Sequence, residues 1–268
     1  MPLAVRFTLP PIGALLLLAG GALAQPASPT DRITMRFEGF GPAGLHVLTS
    51  RTKIETGANR YAITSELTTR GLASVVVDLN GHSEVRGRLT GSAVSPEVYR
   101  EERRRNGEVR RSRVDYPPDG AVIGTSTPPP PEPVAATAQR GTVDNLTAYF
   151  MVERQLGRLG HCGGAIPVFD GRHRFDLYFA NIGRKALSPE GGQQFSGSTL
   201  GCRMNRVEIA GFGPETGEGV QSGMIWYAAL LPGDLMLPVR MEIVSDIGVV
   251  NAYLAELHGR GVDLKLME

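Results

Sequence analysis

The residues best suited to chemistry in this chain are five histidines and two cysteines. No two histidines stand at a ligand spacing such as i and i+4, so the sequence predicts no metal site and no cofactor. His173 follows an Asp-Gly turn and precedes Asp176, which is compatible with a hydrolase built from dispersed residues but does not establish an acid–base pair. The sequence lacks GxSxG, Walker, HExxH and CxxC motifs. We therefore expect a protein that is not an enzyme.

The first 24 residues have the pattern of a secretory signal peptide. A single arginine precedes the apolar run Ile12–Leu18, and Ala22-Leu23-Ala24 forms a small-x-small cleavage site. The run is well short of the roughly 20 apolar residues that span a bilayer, which disfavours a membrane anchor. We expect cleavage after Ala24, a product in the periplasm without a transmembrane span, and a disordered leader over residues 25–31.

The charge of the expected mature chain is balanced. Removing the first 24 residues leaves 27 basic and 27 acidic residues. Non-specific binding of nucleic acid depends on excess positive charge that displaces counterions. The balance therefore argues against a nucleic acid as partner.

Both cysteines, Cys162 and Cys202, lie in the part expected to be exported. An even number of cysteines in an oxidising compartment favours a disulfide, which would close a loop of about 40 residues and stabilise the fold by roughly 4 kcal/mol. The alternative is a catalytic or metal-binding thiol at Cys162, with His161 as its base. Adjacent residues of an extended strand point to opposite faces, so His161 is poorly placed for that role.

Three consecutive segments near the C-terminus indicate antiparallel strands, namely Met224–Leu231, Leu237–Asp246 and Val249–Leu257. The middle segment alternates apolar and polar residues. The first is apolar on both faces, which predicts that it is covered on both sides by a helix, a second sheet or a ligand. On this basis we predict a hydrophobic ligand site lined by Met224, Trp226, Tyr227, Phe175 and Phe179.

Residues 100–113 contain seven arginines and three glutamates. A two-residue turn at Asn106-Gly107 would give a hairpin in which Arg105 faces Glu108 and Glu102 faces Arg111. The same register sets Arg103 against Arg110 and Arg100 against Arg113, and these like charges repel. The hairpin is interpreted either as an exposed charged element or as a contact for an anion or lipid headgroup through Arg100, Arg103, Arg110 and Arg113. Tyr99 opposite Val114 would anchor its base in the core.

The middle of the chain contains a proline-rich loop and one helix. Four consecutive prolines and Pro133 make residues 125–138 an extended loop. A helix is predicted to begin after a cap at Thr142 or Asp144 and to end near Gly157 and Gly160. We predict that this helix covers one face or end of the sheet.

Upstream of the arginine hairpin, two further local structures are predicted. The segment Ser74–Leu79 has strand-forming residues, and the dipeptide Asn80-Gly81 after it is typical of a tight hairpin turn.

Short turn and strand motifs also occur in a recognisable order, which is Gly71-Leu72, Gly87-Arg88-Leu89, Pro96-Glu97-Val98-Tyr99, Asp144-Asn145-Leu146-Thr147, Asp170-Gly171-Arg172, Pro238-Val239 and Gly248-Val249. Together they resemble the bacterial domain-of-unknown-function family numbered 3108, over roughly residues 34–257. The resemblance implies an exported, mainly β protein and transfers no catalytic residue. Thr147 stands where a serine is expected in that family. Such proteins are similar in outline to periplasmic lipoprotein carriers, whose curved sheet holds acyl chains beneath a helical lid.

The expected fold is mainly β: residues 32–268 form a single domain, a strongly curved antiparallel sheet or partly open β-barrel with one main packing helix. The predicted function is non-catalytic binding of a lipid, an acyl chain or another hydrophobic small molecule of the cell envelope. A structural protein that engages an envelope protein through the arginine hairpin and the proline loop is the alternative. A hydrolase is a third class.

Overall fold

The computed structural model describes Met1 and residues 31–213, 217, 219–246 and 248–268. The predicted signal peptide apart from Met1, and residues 25–30 of the predicted leader, lie outside the described residues. The strands are β1 (Asp31–Phe40), β2 (His46–Thr56), β3 (Arg60–Thr69), β4 (Leu79–Thr90), β5 (Ala93–Arg105), β6 (Glu108–Asp115), β7 (Ile123–Thr127), β8 (Gly163–Phe169), β9 (Arg174–Leu187), β10 (Gly197–Ala210), β11 (Val220–Ala228), β12 (Leu237–Ser245), β13 (Gly248–Gly259) and β14 (Val262–Lys265). The helices are α1 (Ala73–Val76), α2 (Ala136–Gln139) and α3 (Asn145–Leu159).

All named strand pairs are antiparallel and belong to one sheet with the order β7-β6-β5-β4-β3-β2-β1-β13-β12-β11-β10-β9-β8, while β14 adds to β13. The sheet curls into a nearly closed barrel, which confirms the expected mainly β fold. One end of the barrel, called the mouth below, carries the β1–β2, β3–β4, β5–β6 and β12–β13 connections. The opposite end, the base, carries the β2–β3, β4–β5 and β11–β12 connections.

The two outermost strands, β7 and β8, meet along a packed seam. Gly124 of β7 lies so close to the Phe169 ring of β8 that an added Cβ would overlap it. Across the same seam, the Arg172 guanidinium donates a hydrogen bond of 3.0 Å to the carbonyl oxygen of Pro128. Val134 is buried. The proline-rich segment therefore packs over the seam as part of the domain.

The ends of the predicted proline loop differ from the expectation. Residues 125–127 belong to β7 and residues 136–138 to α2, so the irregular part is residues 128–135. Residue 31, assigned to the disordered leader, is the first residue of β1. In both cases pairing or packing with distant parts of the chain orders a residue whose local sequence indicates a loop.

Two predictions near the start of β4 were wrong. Of the predicted strand Ser74–Leu79, residues 74–76 belong to the short helix α1 and only Leu79 lies in a strand, while Asn80-Gly81, predicted as a tight turn, lies inside β4. The dipeptide pairs with β3 on one side and with β5 on the other. Pairing along two strands outweighs the local preference of an Asn-Gly dipeptide for a turn.

The arginine hairpin confirms the predicted register. Asn106 and Gly107 have φ angles of 51° and 85°, as a two-residue hairpin turn requires. Arg105 stands opposite Glu108, and Tyr99 stands opposite Val114. Both Tyr99 and Val114 are buried, so the foot of the hairpin is anchored in the core.

Helix α3 also begins and ends as predicted. The Asp144 side chain accepts a hydrogen bond of 2.9 Å from the Thr147 amide, and Gly160 ends the helix with a φ of 70°. Thr147 Oγ1 donates to the second Asp144 oxygen at 2.6 Å and lies 2.7 Å from the Tyr61 hydroxyl on β3. This chain of hydrogen bonds ties the start of the helix to the barrel wall.

The position of α3 was not specified by the sequence, since a cover over either a face or an end of the sheet was expected. The Phe150 ring stacks on Tyr61 of β3 at 5.3 Å, while the Tyr149 ring makes an edge contact with Phe179 of β9 at 6.1 Å. These partners belong to well-separated strands of the sheet order. The helix therefore lies inside the barrel and contacts two of its walls.

The disulfide Cys162–Cys202 is present, as predicted, and both cysteines are buried. It links the segment that follows α3 to β10. At the base, Arg154 of α3 donates a hydrogen bond of 3.1 Å to the Gly91 carbonyl oxygen in the β4–β5 turn. Disulfide and hydrogen bond together fix the C-terminal half of the helix at the base.

Candidate functional site

The inward-facing side chains of β1–β6 form layers that run across the sheet. A layer toward the base consists of Ile33, Ile54, Ile63, Val85, Tyr99 and Val114, which are cross-strand neighbours in that order. Every member is at most 3% exposed. The interior is therefore closed and apolar at this level.

Two residues further toward the mouth, the chemistry of the interior changes. The second layer is Met35, Thr52, Ser65, Ser83, Glu101 and Ser112, and the third is Phe37, Ser50, Leu67, Gly81, Arg103 and Arg110. Successive inward positions of a strand lie two residues apart. Hydroxyl, carboxyl and guanidinium groups thus follow the apolar layer directly. These two layers are called the polar layers below.

The polar layers leave open space inside the barrel. An ideal Cβ on Gly81 would have no other atom within 4 Å. The inward-facing Ser65 and Leu67 of β3 are only partly buried, and so are Met241 and Ile243 on β12. The interior of the barrel at the level of the polar layers and these two β12 side chains is called the chamber. Its inward-facing residues include arginines and hydroxyl-bearing residues on β2–β6 and apolar residues on β12.

An ion pair joins the two sides of the mouth. Arg105 Nη2, at the tip of the arginine hairpin, lies 2.8 Å from Asp246 Oδ2 in the β12–β13 turn. The Gly219 amide donates to the other Asp246 oxygen at 3.0 Å. Since β5 and β12 are far apart in the sheet order, the pair spans the entrance to the chamber.

Glu101 is the titratable group at the floor of the chamber. Burial raises its pKa to about 7, and the Asp170 carboxylate adds to the rise, while Arg103, His173 and a hydrogen bond with Tyr99 oppose it. At neutral pH this carboxyl is therefore divided between its neutral and charged forms. A nearby anion meets less repulsion there than it would beside an ordinary glutamate.

The sequence analysis considered Asp176 as the partner of His173, but in the structure His173 contacts Asp170. His173 Nδ1 lies 3.2 Å from Asp170 Oδ2, and its ring stacks on Phe212 at 4.6 Å. Asp176 instead accepts a hydrogen bond of 2.7 Å from Arg174. Burial alone would raise the pKa of Asp170, but contact with His173 and hydrogen bonds from the His173 and Arg172 amides lower it below its ordinary value. The resulting His–Asp pair lies at the seam, beside the polar layers.

The four arginines proposed as an anion contact are divided between the two faces of the sheet. Arg103 and Arg110 stand opposite each other on the inner face, in the third layer. Arg100 and Arg113 also stand opposite each other, on the outer face, where Arg100 pairs with Glu84 at 2.8 Å and Arg113 pairs with Asp115. Each arginine of the outer pair therefore has its own carboxylate partner, which reduces the repulsion between the two. The inner pair faces the chamber.

The five residues proposed as a hydrophobic ligand site are likewise divided. Phe175, Phe179 and Tyr227 are buried in the cluster that packs around α3. Met224 and Trp226 project from the outer face of β11, where Trp226 lies 5.4 Å from the Lys185 ammonium. β11 is covered on its inner face and only partly covered on its outer face. The structure does not bring these five side chains into one site.

Sequence reasoning missed the polar layers, although a signal was present. Parts of β3 and β5 carry polar residues on both faces, as in Ser65-Glu66 and Arg103-Arg104. A strand buried on one side should keep one apolar face. When both faces of a barrel strand are polar, the inner face is expected to contact water at that position along the barrel axis.

No group of three or more histidine, cysteine, aspartate or glutamate side chains in the described part of the chain is arranged to hold a metal ion. Of the described helices, none has the length and apolar content needed to cross a membrane.

Comparison with known proteins gives a family and a fold. The family described as "Protein of unknown function (DUF3108)" matches residues 32–255. A β-barrel-like protein of another domain of unknown function, DUF1849, from Brucella abortus has a similar structure, with a TM-score of 0.53 at 10% identity, covering 87% of this chain and 99% of that one. The similarity concerns the fold alone.

A "putative lipoprotein" from Parabacteroides distasonis also aligns, at 12% identity over 87% of this chain and 97% of that one. Its TM-score is 0.33, which supports no inference about this chain. No curated protein matches the chain in sequence.

Proposed function

This chain belongs to the DUF3108 family, and we propose that it is an exported, periplasmic, non-catalytic binding protein for an amphipathic anion of the cell envelope, such as a fatty acid or a phospholipid. The observation that carries the proposal is the change from the apolar layer to the polar layers, with open space at Gly81. The ligand site proposed here is therefore the chamber, and not the predicted set of five residues that is divided between the outer face of β11 and the cluster around α3.

The chamber offers two kinds of contact to such a ligand. Leu67, Met241 and Ile243 are apolar and partly exposed, so covering them with an acyl chain removes apolar surface from water. Arg103 and Arg110, side by side in the third layer, present guanidinium groups that suit a carboxylate or phosphate. Each arginine already interacts within the protein, so the ligand exchanges partners with these groups.

The two arginine pairs of one hairpin provide a matched test. Binding of a fluorescent fatty acid is measured for the double variant Arg103→Ala/Arg110→Ala and for Arg100→Ala/Arg113→Ala. Hydrogen bonds to charged groups contribute about 1.5–3 kcal/mol, so the inner double variant is expected to lose about tenfold or more in affinity. The outer variant should keep its affinity. Equal affinities of the two variants would overturn the proposal.

A second test fills the chamber without touching its charges. Gly81→Phe places a ring where an added Cβ meets no other atom, whereas His82→Phe places the same ring on the outer face of β4. Native mass spectrometry of the purified proteins should find fatty acid or phospholipid on the His82→Phe variant and not on Gly81→Phe. Retention of lipid by both variants would show that the chamber is not the site.

We further propose that the protein is not an enzyme. We assign the Asp170–His173 pair to the construction of the seam, because Asp170 also accepts hydrogen bonds from the Arg172 and His173 amides, at 2.8 and 2.6 Å. A screen of ester, peptide and glycoside substrates checks this assignment. Hydrolysis that disappears on His173→Ala, while the folded state persists, would contradict it.

A further inference from the structure

One place in the wall of the chamber combines two cationic side chains with open space. On the inner face of the arginine hairpin, Arg103 stands opposite Arg110 of β6 on one side and opposite Gly81 of β4 on the other. Gly81 has no side chain, and an ideal Cβ on it would have no other atom within 4 Å. A group bound in that space therefore lies beside two arginines.

Hydrogen-bonding groups continue this place toward the base. Two residues before Arg103 on the same strand, Glu101 stands between Ser83 of β4 and Ser112 of β6. These three residues are only partly buried although they face the interior, and the same is true of the two arginines. They therefore keep accessible surface within the barrel. The place is called the polar recess below and consists of Gly81, Ser83, Glu101, Arg103, Arg110 and Ser112.

The polar recess offers more hydrogen-bond donors than a carboxylate can accept. A carboxylate has about four acceptor positions, which two guanidinium groups fill with two N–H groups each. The Ser112 hydroxyl adds a donor. Glu101 adds another in its neutral form, which is present near neutral pH because burial raises its pKa to about 7. A phosphate monoester presents three strong acceptor oxygens and can take these further donors.

The charge of the headgroup favours the same ligand class. Arg103 and Arg110 already interact within the protein, so a headgroup has to compete with existing contacts. A phosphate monoester carries a charge of about −1.5 to −2 near neutral pH. At a given distance it is therefore attracted to a guanidinium group up to about twice as strongly as a carboxylate or a phosphodiester, which carry one negative charge.

We propose that the polar recess binds the terminal phosphate of a phosphate monoester lipid, whose acyl chain lies along the apolar side chains of the chamber. This inference rests on the proposed function, because it specifies the headgroup of the ligand that the chamber binds. Met241 and Ile243 of β12 are partly exposed and supply apolar surface for the acyl chain. The polar recess thus selects among amphipathic anions by charge and by the number of oxygens.

The test compares ligands that share one alkyl chain and differ in the headgroup. Binding of dodecyl phosphate, dodecyl methyl phosphate and dodecanoate to the full mature protein is measured by isothermal titration calorimetry at pH 7, below the concentrations at which micelles form. Dodecyl phosphate should bind about tenfold or more tightly than the other two, because it adds charge-assisted hydrogen bonds. Inorganic phosphate, which lacks the chain, should bind about tenfold or more weakly than dodecyl phosphate.

A pair of conservative double variants locates the phosphate on the hairpin. Arg103→Lys/Arg110→Lys keeps both positive charges and removes the paired N–H groups of the guanidinium. Arg100→Lys/Arg113→Lys makes the same change on the outer face. The inner variant should lose about tenfold in affinity for dodecyl phosphate, whereas the outer variant should bind it as the parent does.

A second pair of variants keeps the arginines and adds one charge. Gly81→Asp places a carboxylate in the polar recess, and Asn80→Asp places the same group at an exposed position on the outer face of β4. The first should weaken binding of dodecyl phosphate about tenfold or more, because the added charge repels the phosphate and competes for the arginines. The second should leave the affinity unchanged.

The outcomes separate the headgroup inference from the proposed function. If dodecyl phosphate binds no more tightly than dodecyl methyl phosphate or dodecanoate, the headgroup inference is overturned, while the chamber still binds an amphipathic anion. If none of the three binds, the proposed function is overturned with it. Inorganic phosphate binding as tightly as dodecyl phosphate would assign the polar recess to free phosphate and overturn the lipid. Equal losses in inner and outer variants would exclude the polar recess as the site.

Discussion

The two ends of the barrel interior are built from the same strands and differ in what fills them. Near the base, six cross-strand neighbours from Ile33 to Val114 are at most 3% exposed, and α3 contacts two walls. Toward the mouth, the same strands present serine, threonine, glutamate and arginine, and a Cβ on Gly81 would have no neighbour within 4 Å. A helix of 15 residues fills only part of the interior. The packed core therefore lies toward the base, and the open space lies toward the mouth.

The largest expected effect is the removal of an aromatic side chain from the filled part. Phe150 of α3 is 1% exposed and stacks on Tyr61. Replacing Phe150 by alanine should cost about 3–5 kcal/mol of unfolding free energy, through lost burial and the cavity left behind. Urea denaturation followed by circular dichroism measures it. A cost below about 1 kcal/mol would mean that the helix does not fill the barrel.

A buried carboxyl in the same part should make stability depend on pH. Glu153 of α3 is 7% exposed, its Oε2 has no hydrogen-bond partner, and burial raises its pKa to about 8. Between its ordinary pKa and about 8 the unfolded chain ionises while the folded protein keeps the proton, so stability falls as pH rises through this window.

The neutral variant Glu153→Gln should remove this pH dependence. It is expected to be more stable than the parent at pH 7, by roughly 2 kcal/mol, and to differ less from it at pH 4.5. Thermal unfolding of both proteins between pH 4.5 and 8.5 measures the difference. An advantage of the variant that does not grow with pH would show that Glu153 reaches water.

Two glycines test the difference between base and mouth, because replacement by alanine should destabilise the protein at one of them and not at the other. Gly157, in α3 at the base, lies against the backbone of Asp234, and an added Cβ would overlap the Asp234 carbonyl group. Gly157→Ala should therefore destabilise by about 1–3 kcal/mol through overpacking. This cost outweighs the gain of up to about 1 kcal/mol that alanine gives in an open helix. A rise in the melting temperature would contradict the close contact.

The smallest effect is expected at the mouth. Gly81→Ala adds a methyl group to open space and reduces the freedom of the unfolded chain, so it should be neutral or stabilise by about 0.5 kcal/mol. Thermal unfolding of this variant beside Gly157→Ala measures the contrast. Similar losses in both would mean that the mouth is as tightly packed as the base.

Local features of the structure were largely predictable. Asn106-Gly107 set the register of the arginine hairpin, and Asp144 and Gly160 set the limits of α3. The wrong strand over Ser74–Leu79 and the wrong turn at Asn80-Gly81 both followed short-range preferences, and at Asn80-Gly81 pairing with β3 and β5 decides the structure. The candidate site was only half predictable. The arginines were identified, but the inward pair, Arg103 and Arg110, was not separated from the outward pair, although two-residue alternation from the core residue Tyr99 places Arg103 on the inner face.

By itself the sequence determined alternation, the turn of the arginine hairpin, the limits of α3 and the pairing of the two cysteines, because each depends on neighbouring residues or, for the disulfide, on there being only two thiols. The tertiary structure decided which face of each strand lies inside and which end of the barrel is open. Both follow from where α3 packs among strands far from it in the chain, and the free energy of that packing belongs to the assembled barrel and to no single segment.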